Sequence, residues 1–397
     1  MVITFLSANH YYFIVYFYIL LGILIGLFAG FVPGLHSNTI VSFMYSLGIP
    51  PEILSLLIIA VFAAYSITSF IPSLFLGIPD ESSILSVLPG QRMVKEGKGL
   101  LALKIVLFSG ILSAIISVAF FPFSLDFFQI LYSAIKPYLS WILILFSLLL
   151  ILKTKNILYA LLIFLLSGFL GYSTFKLNLN DPFLPMFTGM FAMAAIITYT
   201  KSKIPKQKDE KLEPNFIPYV FLGVIGGIIS DLLPGVSSTS QVASFLSIFF
   251  PITSIGYLAT IVSVSVSQSI LALSTAASIG KSRIGAIVWL DKVSPVKENL
   301  FLYLVLFLLA LSVTVLLIYL LRNKLIRIVE LDFSIVNKIL VVYLLALVFF
   351  ISGTYGLIVF GIATLLGYLT LKLNVERTML MGSIIIPTIM LLLKIFI

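Results

Sequence analysis

Apolar runs of about twenty residues recur along this chain, separated by short segments that hold most of its charge. A helix rising about 1.5 Å per residue needs roughly that many residues to cross a ~30 Å hydrocarbon core. Ordinary soluble domains carry about 25% charged residues; here 10% of the 397 residues are charged and 61% are hydrophobic. The fold class read from this pattern is an all-α polytopic membrane protein.

The pI near 9.4 would in a soluble chain point to nucleic acid. Here the basic residues sit in short loops between apolar runs, where membrane topology explains them. Lipid and a small solute are the expected partners, and nucleic acid is not. There is no cysteine, which excludes disulfides, thiolate metal sites and cysteine nucleophiles. The only histidines are His10 and His36, and no GxxxxGK[ST] loop occurs. Zinc pairs, Ser–His–Asp hydrolysis and nucleotide-driven chemistry therefore lack their residues, and the chain reads as a non-enzyme without a cofactor. The opening MVITFLSANH has no basic n-region and no small-residue cleavage site, and reads as mature chain.

Full spans are expected near 52–76, 99–121, 137–153, 156–175 and 183–200, and again near 253–274, 299–321, 336–353, 354–373 and 377–397. Each set is preceded by an apolar stretch broken at Pro-Gly: 11–32 and 39–48 around Pro33-Gly34, then 216–233 and 238–250 around Pro234-Gly235. The two breaks lie 201 positions apart, and Gly22 and Gly26 recur as Gly223 and Gly227 at that offset. Ser37-Asn38-Thr39 recurs as Ser238-Thr239-Ser240, LGYSTFKLN at Leu170–Asn178 as LGYLTLKLN at Leu366–Asn374, and amphipathic pieces near 124–136 and 322–335 also correspond. Such order and spacing mark an internal duplication. The repeats are 1–200 and 216–397, joined by the polar linker 201–215.

The pieces after each Pro-Gly reach only about half of a ~30 Å core. Each is expected to be the returning arm of a re-entrant hairpin, at 11–48 and 216–250. Five crossings then remain per half, an odd number, so the repeats are expected to be inverted. With both termini outside and the linker cytoplasmic in a cell-membrane protein, sixteen of the 24 basic residues fall inside. The cluster Lys281, Arg283, Lys292 and Lys297 faces outside and is the exception.

Broken helix is tolerated at membrane depth only when buried in protein or lining a polar cavity. Pro and Gly end the first arm, and Ser37, Asn38 or Thr39 are expected to cap the second. Free N–H groups at a helix start favour an anion. Pro33, Gly34, Ser37, Asn38 and Thr39, with Pro234, Gly235, Ser238, Thr239 and Ser240, are therefore the expected substrate or ion site, and their hydroxyls would suit Na+. Secondary candidates are Ser66, Thr68 and Ser69, corresponding to Ser267, Gln268 and Ser269 near the same offset. Serines and threonines in membrane helices also simply bond to backbone carbonyls. Asp231 is an intramembrane carboxylate. Asp80 and Glu81 read either as site residues or as a solvated loop, and His36 as a loop side chain bonding locally.

The stretch Leu76–Leu103, LGIPDESSILSVLPGQRMVKEGKGLLAL, resembles the signature of the large membrane subunit of tripartite tricarboxylate transporters, most closely its compact archaeal-type members. The paired Pro-Gly tips and Ser267–Arg283, SQSILALSTAASIGKSR, are similar to further motifs of that family. Asp80 stands where the family often has Gly, and Leu35-His36-Ser37-Asn38 where it has small residues. The resemblance implies a permease for carboxylate-like solutes driven by Na+ or H+, with an accessory small subunit or solute-binding protein left open, as is a homodimer. The Ser-Asn-Thr tip is also similar to that of sodium–dicarboxylate symporters. Two other functions fit the pattern: translocation of a lipid-linked phosphate, and a non-transporting scaffold subunit.

Overall fold

The computed structural model describes residues 2–77, 87–199, 205–233, 239–250, 252–330 and 333–395. Every regular element among them is helical. The first half supplies α1 (Val2–Phe31), α2 (Ser37–Ser46), α3 (Pro51–Thr68), α4 (Phe70–Phe75), α5 (Val87–Lys95), α6 (Gly99–Ile135), α7 (Leu139–Lys153), α8 (Ile157–Phe175), α9 (Phe183–Phe187) and α10 (Ala194–Ile197). A π-helical turn, Thr188–Met193, joins the last two. The second half supplies α11 (Ile217–Ser230), α12 (Thr239–Phe249), α13 (Ser254–Ile279), α14 (Gly285–Val293), α15 (Leu300–Leu325), α16 (Phe333–Lys372) and α17 (Gly382–Leu392).

Six described stretches are long and apolar enough to cross a membrane: Pro51–Phe75, Gly99–Lys153, Ile157–Phe175, Ser254–Ile279, Leu300–Ile328 and Ile335–Lys372. Two of them each hold a pair of the expected spans. Gly99–Lys153 turns at a 3-10 segment, Lys136–Tyr138, and α16 kinks at Gly353, whose φ of 65° is a left-handed backbone that only glycine adopts cheaply. The stretches expected at 183–200 and 377–397 are shorter apolar segments, Phe183–Ile197 and Arg377–Leu392. The piece at 124–136 continues α6 straight through Pro122. Ser124 ties the extension to α13: its Oγ lies 2.6 Å from the Phe121 carbonyl and 2.7 Å from Ser274 Oγ.

Close packing repeats in the two halves. Gly22 and Gly26 of α1 lie against Ala60 and Val61 of α3; Gly223 and Gly227 of α11 lie against Ser263 and Ser267 of α13. A Cβ at any of the four would meet these neighbours, so the glycines set how near the first hairpin arm approaches the next long helix. The glycines of the two LGY motifs also match in role, but across the halves. Gly171 of α8 abuts the Ser383 carbonyl of α17, and Gly367 of α16 abuts the Met190 carbonyl of the π-turn. Thr174 and Thr370, three residues on, each donate to the carbonyl four residues back, at 2.7 and 2.8 Å.

The described part of the polar linker, from residue 205, is held against the helices. Gln207 accepts from the Gly99 amide at 2.8 Å and donates to the Val94 carbonyl at 3.0 Å. The Lys208 amide donates to the Gly97 carbonyl at 2.8 Å, and Lys104 pairs with Asp209. Polar side chains bonded to the α5–α6 turn thus hold the linker down, and Gly99 also meets Ile326 after α15. Three basic loops, at 92–98, 205–211 and 322–327, consequently share one face.

Candidate functional site

The first hairpin turns between α1 and α2. Gly34 has φ of 83°, and a Cβ there would meet Leu344 of α16 and Thr188 of the π-turn. The tip therefore needs glycine for its backbone and for its seat against the other half. The cap of α2 is His36, one residue earlier than expected: its Nδ1 accepts from the Asn38 amide at 3.2 Å. Ser37, Asn38 and Thr39 are thereby released from capping. Thr39 Oγ1 donates to Asp181 Oδ2 at 2.9 Å, and the Asn38 amide rests against Gly285 at the start of α14.

A cavity of about 440 Å3 opens beside this tip. It gathers Gly34, Ser37, Asn38, Thr39, Ser66 and Ser69 from the first half with Thr239, Gln268 and Ser269 from the second. Pro33, Thr68 and Ser267 do not line it. Asp231 does not line it; this carboxylate is 1% exposed, with Thr275 Oγ1 donating to its Oδ2. Pro234, Gly235, Ser238, Asp80, Glu81 and the side chain of Ser240 lie outside the described residues.

Local sequence explains the walls. Pro72 has no N–H to offer the Thr68 carbonyl, so α3 stops there and resumes as α4, leaving Ser69 at the break. Helix α13 is unbroken, and Ser265, Gln268 and Ser269 share one of its faces at helical spacing. Ser265 Oγ reaches the Ser66 carbonyl of α3 at 3.4 Å, joining the halves beneath the cavity.

Several hydroxyls bond as membrane-helix serines commonly do. Ser66 donates to the Ala63 carbonyl at 2.8 Å, Thr68 to Ala64 at 2.7 Å, and Ser269 to Ser265 at 2.8 Å. With the proton spent on backbone, such a hydroxyl offers only lone pairs, which suit a cation. The donors suited to an anion are elsewhere. Gln268 is 3% exposed, and its Nε2 has no partner among the described residues. Arg283 also lines the cavity, and no ion pair engages its guanidinium among the described residues.

Arg283 belongs to the basic cluster that the sequence reading assigns to the outside, and it borders the cavity. Asp181 has no counterpart among the site residues read from sequence. Its Oδ1 accepts from the Phe183 and Leu184 amides at 3.0 and 3.1 Å, so it caps α9 while holding Thr39. The π-turn beside the cavity has no sequence signature, although such turns often accompany functional sites.

Membrane-length helices around a cavity, at a point where helices break, are the architecture of a multi-pass membrane protein. Within that class the chain belongs to the tripartite tricarboxylate transporter TctA family, whose sequence model matches residues 16–216. That is a transporter family rather than an enzyme family, and its members are typically the membrane component of an assembly with other subunits. The chain is similar to the uncharacterized protein MJ1079 of Methanocaldococcus jannaschii, at 28% identity over 400 residues, covering 95% of this chain and 98% of the relative. No solved structure matches it.

Proposed function

We propose that the chain is the permease of a secondary transporter that carries a small anionic solute, a carboxylate, through the cavity between its two hairpins. The observation that carries this reading is the convergence of Asn38 and Thr39 from one repeat with Thr239 and Gln268 from the other on a single cavity with Arg283 at its edge. An anion there meets an arginine, an unpartnered amide donor and a helix start. Hydroxyl lone pairs of Ser66 and Ser269 are available to a coupling Na+; H+ is the alternative, since no nucleotide loop exists to drive the cycle.

The halves are read as inverted repeats, each with a re-entrant hairpin. In support, α2 and α12 have 10 and 11 residues, about half a crossing. The matching short helices α5 and α14 have different neighbours: α5 adjoins the docked linker, whereas Trp289 of α14 packs against Tyr45 at the end of α2, with ring centroids 4.7 Å apart. The shared basic face formed by 92–98, 205–211 and 322–327 is assigned to the cytoplasm, and both termini to the outside.

In proteoliposomes, the double substitution Asn38→Ala and Thr239→Ala is expected to lower carboxylate uptake at least about tenfold, the effect of losing one or two hydrogen bonds to a charged ligand. Uptake at the unmodified rate in that variant would remove the hairpin tips from the site.

A further inference from the structure

The cavity has two chemically different walls. One is polar, with Arg283, Gln268 and Asn38. The other is aromatic. Phe183, Phe187 and Phe191 stand four residues apart on α9 and the π-turn, with successive ring centroids 5.9 and 6.0 Å apart and interplanar angles of 27° and 30°. Phe62 of α3, 4% exposed, and Ile384 of α17 also line the cavity.

Charge on the lining is sparse. Arg283 is the one lysine or arginine among the described lining residues, and Asp181 the one carboxylate. Asp181 is committed to Thr39 and the α9 amides. His36 spends Nδ1 as an acceptor for the Asn38 amide. Among the described residues a solute therefore finds a single counter-charge. A tricarboxylate would bring two further negative charges against phenylalanine rings, and an unpaired charge removed from water costs several kcal/mol. A solute with one carboxylate and a flat hydrocarbon body matches both walls: the carboxylate pairs with Arg283 and receives the spare N–H of Gln268, while the body stacks on the phenylalanine ladder.

We propose that the solute is a monocarboxylate with a bulky aromatic body, not a di- or tricarboxylate, recognised jointly by Arg283 and by the ladder Phe183, Phe187 and Phe191. This rests on the permease reading above and narrows its solute.

The test is equilibrium binding to the purified full chain with four probes: 3-phenylpropionate, its uncharged amide, propionate and citrate. Phenylpropionate is expected to bind at least about tenfold more tightly than each of the others, since both the charge and the ring contribute. Phe187→Ala is expected to reduce that preference over propionate by about fivefold or more. Citrate binding more tightly than phenylpropionate would overturn the aromatic assignment while leaving the permease reading in place. Binding of none of the anions, with no uptake of any of them into proteoliposomes, would overturn both. The comparison of probes on the unmodified protein decides the matter even if Phe187→Ala does not fold.

Discussion

Replacing Arg283 with Gln is expected to weaken binding of any carboxylate solute by roughly 100-fold, about 3 kcal/mol, within the range seen when one partner of a desolvated charge pair is removed. The size of the effect follows from the sparseness of the site. No second lysine or arginine lines the cavity among the described residues, so nothing takes over the counter-charge. Arg283→Lys keeps the charge but loses the planar fork that grips a carboxylate with two parallel bonds, and an intermediate affinity is expected. Arg283 makes no ion pair among the described residues. Its charge does reach the buried Asp231, so Arg283→Gln with Asp231→Asn is the control that separates lost solute binding from an uncompensated carboxylate. Equilibrium binding of the Gln variant at the affinity of the unmodified protein would show that the cavity's cation does not hold the solute.

The second large effect concerns how the halves hold each other. Gly171→Ala puts a methyl group onto the Ser383 carbonyl, and Gly367→Ala puts one onto the Met190 carbonyl. In both cases the obstacle is backbone, which cannot rotate away as a side chain does. The helices must separate, at a cost of about 3 kcal/mol, the upper part of the overpacking range. Each variant should melt at clearly lower temperature in detergent. Gly361→Ala on the same α16 is the control, because a Cβ there meets nothing within 4 Å; it should be neutral or slightly stabilising. Equal melting temperatures for all three variants would mean that α8 does not pack on α17, or α16 on the π-turn, as described.

What could be read from the sequence follows from what a linear pattern encodes. Pro33-Gly34 interrupts a helix wherever it stands, because the missing N–H and the left-handed Gly34 act locally. The same holds for the Gly22, Gly26, Gly223 and Gly227 spacing, which marks a close helix contact before the partner is known. The LGY motifs were visible as a repeat, but their exchange between halves was not, since a motif does not name the surface that it meets. Arg283 was hidden for a related reason. Its loop position gives its charge but not the cavity beneath it, and the only pointer was that the family-like stretch Ser267–Arg283 ends on it. The Phe183, Phe187 and Phe191 spacing marks one helix face. Whether that face meets lipid or a cavity depends on packing from α3 and α17, which no spacing within 183–191 contains. His36 is, as its loop position suggests, a side chain that bonds locally; that its bond caps α2 is not legible, because hydroxyls and Asn cap helices more often than imidazole does.

The most direct measurement uses the absence of cysteine from the chain. Ser269→Cys places one thiol on the cavity wall contributed by α13. In proteoliposomes, a water-soluble thiol reagent applied to either face should label it, as expected when a midplane site opens alternately to the two sides, and a saturating carboxylate solute should slow that labelling. A thiol that reacts from neither face, or at a rate that no carboxylate alters, would contradict a solute site between the hairpins.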